Sequence, residues 1–133
     1  MILATTWDRV DILKISKDVM TAVLGFEPPP PPLNPMSLSE PGLFEKMLQE
    51  TGFVSIKQST STYPFDFGND KTFQFKVGTI LLKEKIDEIG GEAWKVAEES
   101  FWENIGKYTE TTSDGTMIMP ENTFRMSVAY KKE

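Results

Sequence analysis

Three rhythms of apolar and polar positions run along the chain. Ile2-Leu3-Ala4-Thr5-Thr6-Trp7 is an unbroken apolar and β-branched run, which predicts a strand with both faces covered. Ile12, Ile15, Val19, Ala22 and Val23 then recur at three- and four-residue spacing, with Lys14, Lys17 and Asp18 between them. That spacing predicts an amphipathic helix ended by Gly25. Leu43, Phe44, Met47 and Leu48 give a second helix. Ser37 and Glu40 stand at capping-box spacing before it, and Gly52 stands just beyond its end. Phe53 to Lys57 reads as a strand that weakens past Gln58 and breaks at Tyr63-Pro64-Phe65. A short helix capped by Asn69 or Asp70 follows, then one carrying Leu82, Ile86 and Ile89 and stopped by Gly90-Gly91. Trp94, Ala97, Phe101, Ile105 and Tyr108 mark a long helix. Asp114-Gly115 signals a turn, and Met117-Ile118-Met119 a short strand ended by Pro120. The clearest period of two comes last: Phe124, Met126, Val128 and Tyr130 alternate with Arg125, Ser127, Ala129 and Lys131. The order is α/β at the start and ends in an antiparallel ribbon, with no internal repeat.

Between the first two helices lies a proline-rich spacer, residues 27–36, built on the unbroken run Pro28–Pro32. Such a run is stiff and extended. No Lys or Arg flanks it, so a rigid connector is preferred over a ligand for a proline-reading domain.

Composition narrows the chemistry. With 133 residues, 14 basic and 20 acidic, the net charge is −6. An acidic chain repels phosphate backbones, which argues against a nucleic-acid partner. Cysteine and histidine are both absent. This removes disulfides, thiolate metal sites, thiol nucleophiles and histidine-based triads. No apolar run reaches the length of a membrane span, and Met1–Ala4 lacks the basic flank of a secretory signal, so a cytoplasmic protein is expected. Residues 84–110 carry eight acids and three bases, which reads as a solvated helix face. Asp87/Glu88 and Glu98/Glu99 are sequence neighbours that diverge by about 100° on a helix, so they are poor acid–base dyads. No dinucleotide or phosphate-loop glycine motif occurs, and no catalytic or metal-ligating residue is assigned. Trp7, Trp94, Trp102 and the nine phenylalanines are read as core. Trp7 is the exception, because it ends a strand where open α/β sheets place ligands.

Three stretches in order resemble class I S-adenosylmethionine-dependent methyltransferases, in particular the branch found in ubiquinone and menaquinone biosynthesis. Ile2-Leu3-Ala4-Thr5-Thr6-Trp7 resembles that family's fifth strand. Met36-Ser37-Leu38-Ser39 followed by Leu43-Phe44-Glu45-Lys46-Met47-Leu48-Gln49-Glu50-Thr51-Gly52-Phe53 is similar to the approach to its sixth, with Thr51 where Ala is usual. Asn122 to Lys132 is similar to its seventh. The family's glycine-rich donor-binding half has no counterpart in these residues. The resemblance therefore implies one domain over 1–133, the carboxyl-terminal half of a methyltransferase.

It implies a partial Rossmann-like sheet of strands 5-7-6 with the last strand antiparallel, helices covering it over 69–110, and Trp7 and Asp8 lining the substrate side. S-adenosylmethionine is the cofactor of the parent family and a small molecule its acceptor, with no donor bound and no activity expected of this chain alone. Strand 2–7 would be left as a bare edge, which predicts a homodimer through it. The competing readings are a self-contained αβ small-ligand-binding module and a non-catalytic interaction adaptor.

Overall fold

A computed structural model describes residues 1–133. The chain is α/β, with five α-helices and a four-stranded antiparallel sheet. Strand β1 (Ile2–Arg9) pairs with β4 (Met117–Lys131). Strand β4 pairs in turn with β2 (Phe53–Asp66), and the two-residue β3 (Glu110–Thr111) pairs with β4 near its start. The helices are α1 (Asp11–Leu24), α2 (Leu43–Glu50), α3 (Lys71–Gly78), α4 (Lys83–Ile89) and α5 (Ala93–Asn104). Short 3₁₀ turns precede α4 and follow α5. No helix is long and apolar enough to cross a membrane.

The chain divides into two compact units. The first comprises Met1–Val10, Pro31–Tyr63 and Glu121–Glu133. Here β1 and β4 run in plain antiparallel register, with Ile2 opposite Ala129, Thr6 opposite Arg125 and Trp7 opposite Phe124. The register then slips by one residue, so that Arg9 faces Thr123. Asp8 is the extra residue of this β-bulge. Side chains tie β2 to β4 in the opposite sense: Gln58 Nε2 donates to Ser127 Oγ at 2.9 Å, and Asn122 Nδ2 to the Tyr63 carbonyl at 3.3 Å. The β4 row of Ser127 and Ala129 is fully buried, whereas Met126 and Tyr130 are exposed. The period of two is as expected, but the small and polar row is the buried one. β1 also departs from its expectation of two covered faces, since Leu3 is 61% exposed.

Helix α2 begins without the expected capping box, as no side chain caps it. Pro41-Gly42 intervenes instead. The Leu43 amide donates to the Glu40 carbonyl at 3.1 Å and Gly42 has φ 81°, which is a type II turn with proline and glycine in their preferred places. The proline blocks helix at Glu40, so Glu40 cannot serve as the third residue of a helix starting at Ser37. Gly52 (φ 87°) closes the helix as expected.

Neither expected proline break occurs. Pro64 lies inside β2, which is tolerated because β2 is at the sheet's edge. Pro120 lies inside β4, so the ribbon is one strand rather than two. On that side of β4, Ile118 is the last residue paired with β3 and Thr123 the first paired with β1. The missing amide falls in an interval where the ladder has no partner on that side.

The second unit comprises Asp11–Pro30 and Pro64–Pro120. Its core joins Ile15, Val19 and Met20 of α1 to Ile86 of α4, Ala97 and Phe101 of α5, and Phe67, Met117 and Met119. α1 packs most extensively on α5. Phe101 is fully buried and meets Phe75 and Trp102 edge-on, at centroid distances of 5.4 and 4.9 Å. The helices expected over 69–110 are present. Asp70 caps α3 by accepting from the Phe73 amide at 2.7 Å, and Gly90 and Gly91 end α4 with positive φ. Buried Gln74 donates to the carbonyls of Gly68 and Gly115, binding the start of α3 to the β3–β4 turn.

Candidate functional site

The sheet end where Trp7 and Asp8 lie belongs to the first unit. The two side chains part company there. Trp7 sits opposite Phe124 and meets its ring edge-on, 6.2 Å between centroids at 78°. This places it in the row with Leu3, Thr5, Met126 and Val128, since opposed residues of a ladder share a face. Asp8 turns to the other face. Its Oδ2 accepts from Arg125 Nη2 at 3.1 Å, and Arg125 is the ladder partner of Thr6. The bulge re-aims the carboxylate, because an extra residue breaks the strict alternation of side chains.

The Asp8–Arg125 pair is largely withdrawn from water, with side-chain exposures of 17% and 14%. Two polar atoms beside it have no hydrogen-bond partner: Oδ1 of Asp8 and Oγ1 of Thr6, both buried. Leaving such groups unsatisfied costs about 1–3 kcal/mol each, and sites that carry that cost are few in folded proteins. The bare carboxylate oxygen is an acceptor, and the hydroxyl both donates and accepts. Chemically the arrangement suits a hydroxyl or amine group that donates to Asp8 while Arg125 fixes the carboxylate from its other oxygen. Further along the same buried row, Ser127 accepts from Gln58.

The other aromatic candidates lie in the second unit. Trp94 packs edge-on against Phe75 at 6.0 Å, and its Nε1 donates to Asp87 at 2.8 Å. Lys71 lies over the Trp102 ring at 5.9 Å. Asp87 also binds Lys83 at 2.6 Å, while Glu88 pairs with Lys85. The bonds from Lys83 and Trp94 hold the Asp87 carboxyl below its ordinary range, and the adjacent acids form no dyad. No group of three or more acidic side chains is placed to hold a metal ion.

Sequence reasoning missed Arg125 and Thr6. The available signal for Arg125 was a lone cation in a strand whose neighbours Ser127 and Ala129 are small. Protein-family models were compared with the chain and none matches; the curated proteins were searched too, and none matches.

Proposed function

We propose that the chain is a methyltransferase-like module, descended from enzymes that transfer a methyl group from S-adenosylmethionine to a small molecule, and that it supplies the acceptor side of such a site. One observation carries this reading. β4 runs antiparallel between β1 and β2, two strands that run in the same direction, which is the 5-7-6 arrangement implied by the resemblance of 2–7, 53–58 and 124–131. The helix–Gly52–Phe53 entry to β2 supports it further. Trp7 and Asp8 stand at the carboxyl end of β1, where open sheets of this class place ligands, and the chain's own contribution is to position the acceptor by its hydroxyl or amine. Alignment alone supplies much of the rate in such transfers, so the absence of histidine is no obstacle.

The test has two arms. Calorimetry of the 133-residue chain with S-adenosylmethionine should show no binding. Fused in frame to the coding sequence immediately upstream of Met1, which should encode a glycine-rich strand–turn–helix, the longer protein should bind it at micromolar concentration. The proposal fails if the chain alone binds the donor, or if the longer protein does not.

A further inference from the structure

Strand β1 pairs with β4 alone, and its second edge is open from Ile2 to Arg9. Open edges are ordinarily blunted by charge, proline, a bulge or shortness. None of these devices protects this one. No charged residue or proline occurs from Ile2 to Trp7, the strand is eight residues long, and its one bulge falls at Asp8. Leu3, next to this edge, is 61% exposed.

We infer that β1 is the seam of a homodimer, pairing antiparallel with a second copy of itself about a two-fold axis through Thr5. Two-fold pairing that keeps each face of the sheet continuous must centre on a residue, because opposed side chains share a face. Centring on Thr6 sets Leu3 against Arg9 and Ala4 against Asp8. Centring on Ala4 sets Leu3 against Thr5 and leaves Asp8 and Arg9 outside. Centring on Thr5 sets Leu3 against the partner's Trp7, Thr5 against the partner's Thr5, and Ala4 against the partner's Thr6. These are an aliphatic–aromatic pair, a hydroxyl pair and a small pair, with no like charges opposed between Ile2 and Asp8. Half of the seven opposed positions exchange two main-chain bonds each, giving about six to eight across the seam. The result is one six-stranded sheet, β2-β4-β1 continued by the partner's β1-β4-β2. The inference stands on the edge and its register, independently of the methyl-transfer reading.

The absence of native cysteine allows a clean test. In Thr5→Cys the two thiols meet on the axis. Opposed Cα atoms lie about 4.5–5.5 Å apart in an antiparallel pair, within disulfide range. In Leu3→Cys the two thiols are four residues apart along the seam, about 13 Å, and cannot join. Under mild oxidation at tens of micromolar, Thr5→Cys should pass largely into a covalent species of twice the chain's 15.1 kDa, and Leu3→Cys should stay single. Unmodified protein should sediment as a dimer. Leu3→Lys, with unchanged circular dichroism, should sediment as a monomer. Equal cross-linking in both cysteine variants overturns the register. A native chain that sediments at 15.1 kDa overturns the dimer, and points instead to a strand from a different polypeptide as the occupant of the edge.

Discussion

Removing Arg125 is the sharpest perturbation of the candidate site. Arg125→Met keeps most of the aliphatic stem and deletes only the charged head. What remains is an Asp8 carboxylate 17% exposed, whose Oδ1 already has no partner and whose Oδ2 loses its only one. Breaking a fully buried ion pair from one side costs about 3–5 kcal/mol, and an exposed pair contributes about 0–1 kcal/mol. At these exposures the loss should be about 2–3 kcal/mol, nearer the buried limit. Asp8→Leu should cost less, about 1–2 kcal/mol, because a guanidinium on a long stem can swing toward water. The double variant should recover much of the loss, since replacing both charges removes the desolvation penalty along with the attraction. Urea unfolding, with an unchanged slope between variants, measures all four corners of the cycle. A single Arg125→Met loss below about 0.5 kcal/mol would show that water reaches the pair freely, and the description of a desolvated site with a bare acceptor would be wrong.

Gly78→Ala should destabilise the second unit by about 1–3 kcal/mol, because a Cβ there would stand 2.3 Å from Cε2 of the buried Phe101 ring. Gly106→Ala, which meets nothing within 4 Å, should be neutral or gain up to about 1 kcal/mol, and equal denaturation midpoints for the two variants would refute the steric account. Tyr108 donates to Asp18 at 2.7 Å, and burial, followed by that carboxylate, pushes its phenol up to about 12. The unfolded chain releases this proton near pH 10, so the stabilisation is intact below that pH and is lost as pH rises toward 12. Tyr108→Phe should flatten the fall of stability in that window, and an unchanged alkaline slope would assign the loss to other groups.

The helices were legible because each carries its own signal. α1 has its apolar stripe, α3 its Asp70 cap and α4 its glycine stop, and these act over four residues or fewer. The two prolines misled because their effect depends on neighbours far away in the sequence. Proline is excluded from a strand only where both edges are paired, and nothing near Pro120 states that its ladder partner changes from β3 to β1 there. Pro41 misled in the opposite way, by overriding a capping box whose spacing was correct. For β4 the period was readable but the buried side was not. Hydrophobicity alone assigns the Phe124–Tyr130 row inward, yet Ser127 and Ala129 are the buried pair. Trp7 and Asp8 could be placed at a strand end. Their division between two faces could not, since it depends on a bulge opposite Phe124 and Thr123. The Asp8–Arg125 bond joins residues 117 apart, a pairing that only the β1–β4 register creates.

The bulge also explains how one short strand can hold both a site and a seam. Main-chain bonds along an edge lie in the plane of a sheet, while side chains stand perpendicular to it. From Ile2 to Trp7 the β1 ladder is regular and presents a regular outer edge, which is what a second copy needs. At Asp8 the ladder slips, the outer edge loses its regularity, and the carboxylate swings onto the Arg125 face. Pairing about Thr5 places Asp8 opposite the partner's Ile2 at the extreme end of the seam. The carboxylate is therefore neither opposed by charge nor required by the dimer. Leu3→Lys and Arg125→Met act on different features of the same sheet, the first on its edge and the second on its buried face. A centre shifted to Thr6 would instead press Ala4 of each copy against the other's Asp8, and the same bulge that aims the carboxylate would then disrupt the pairing. The position of the bulge thus favours Thr5 as the axis on grounds separate from the match of Leu3 with Trp7.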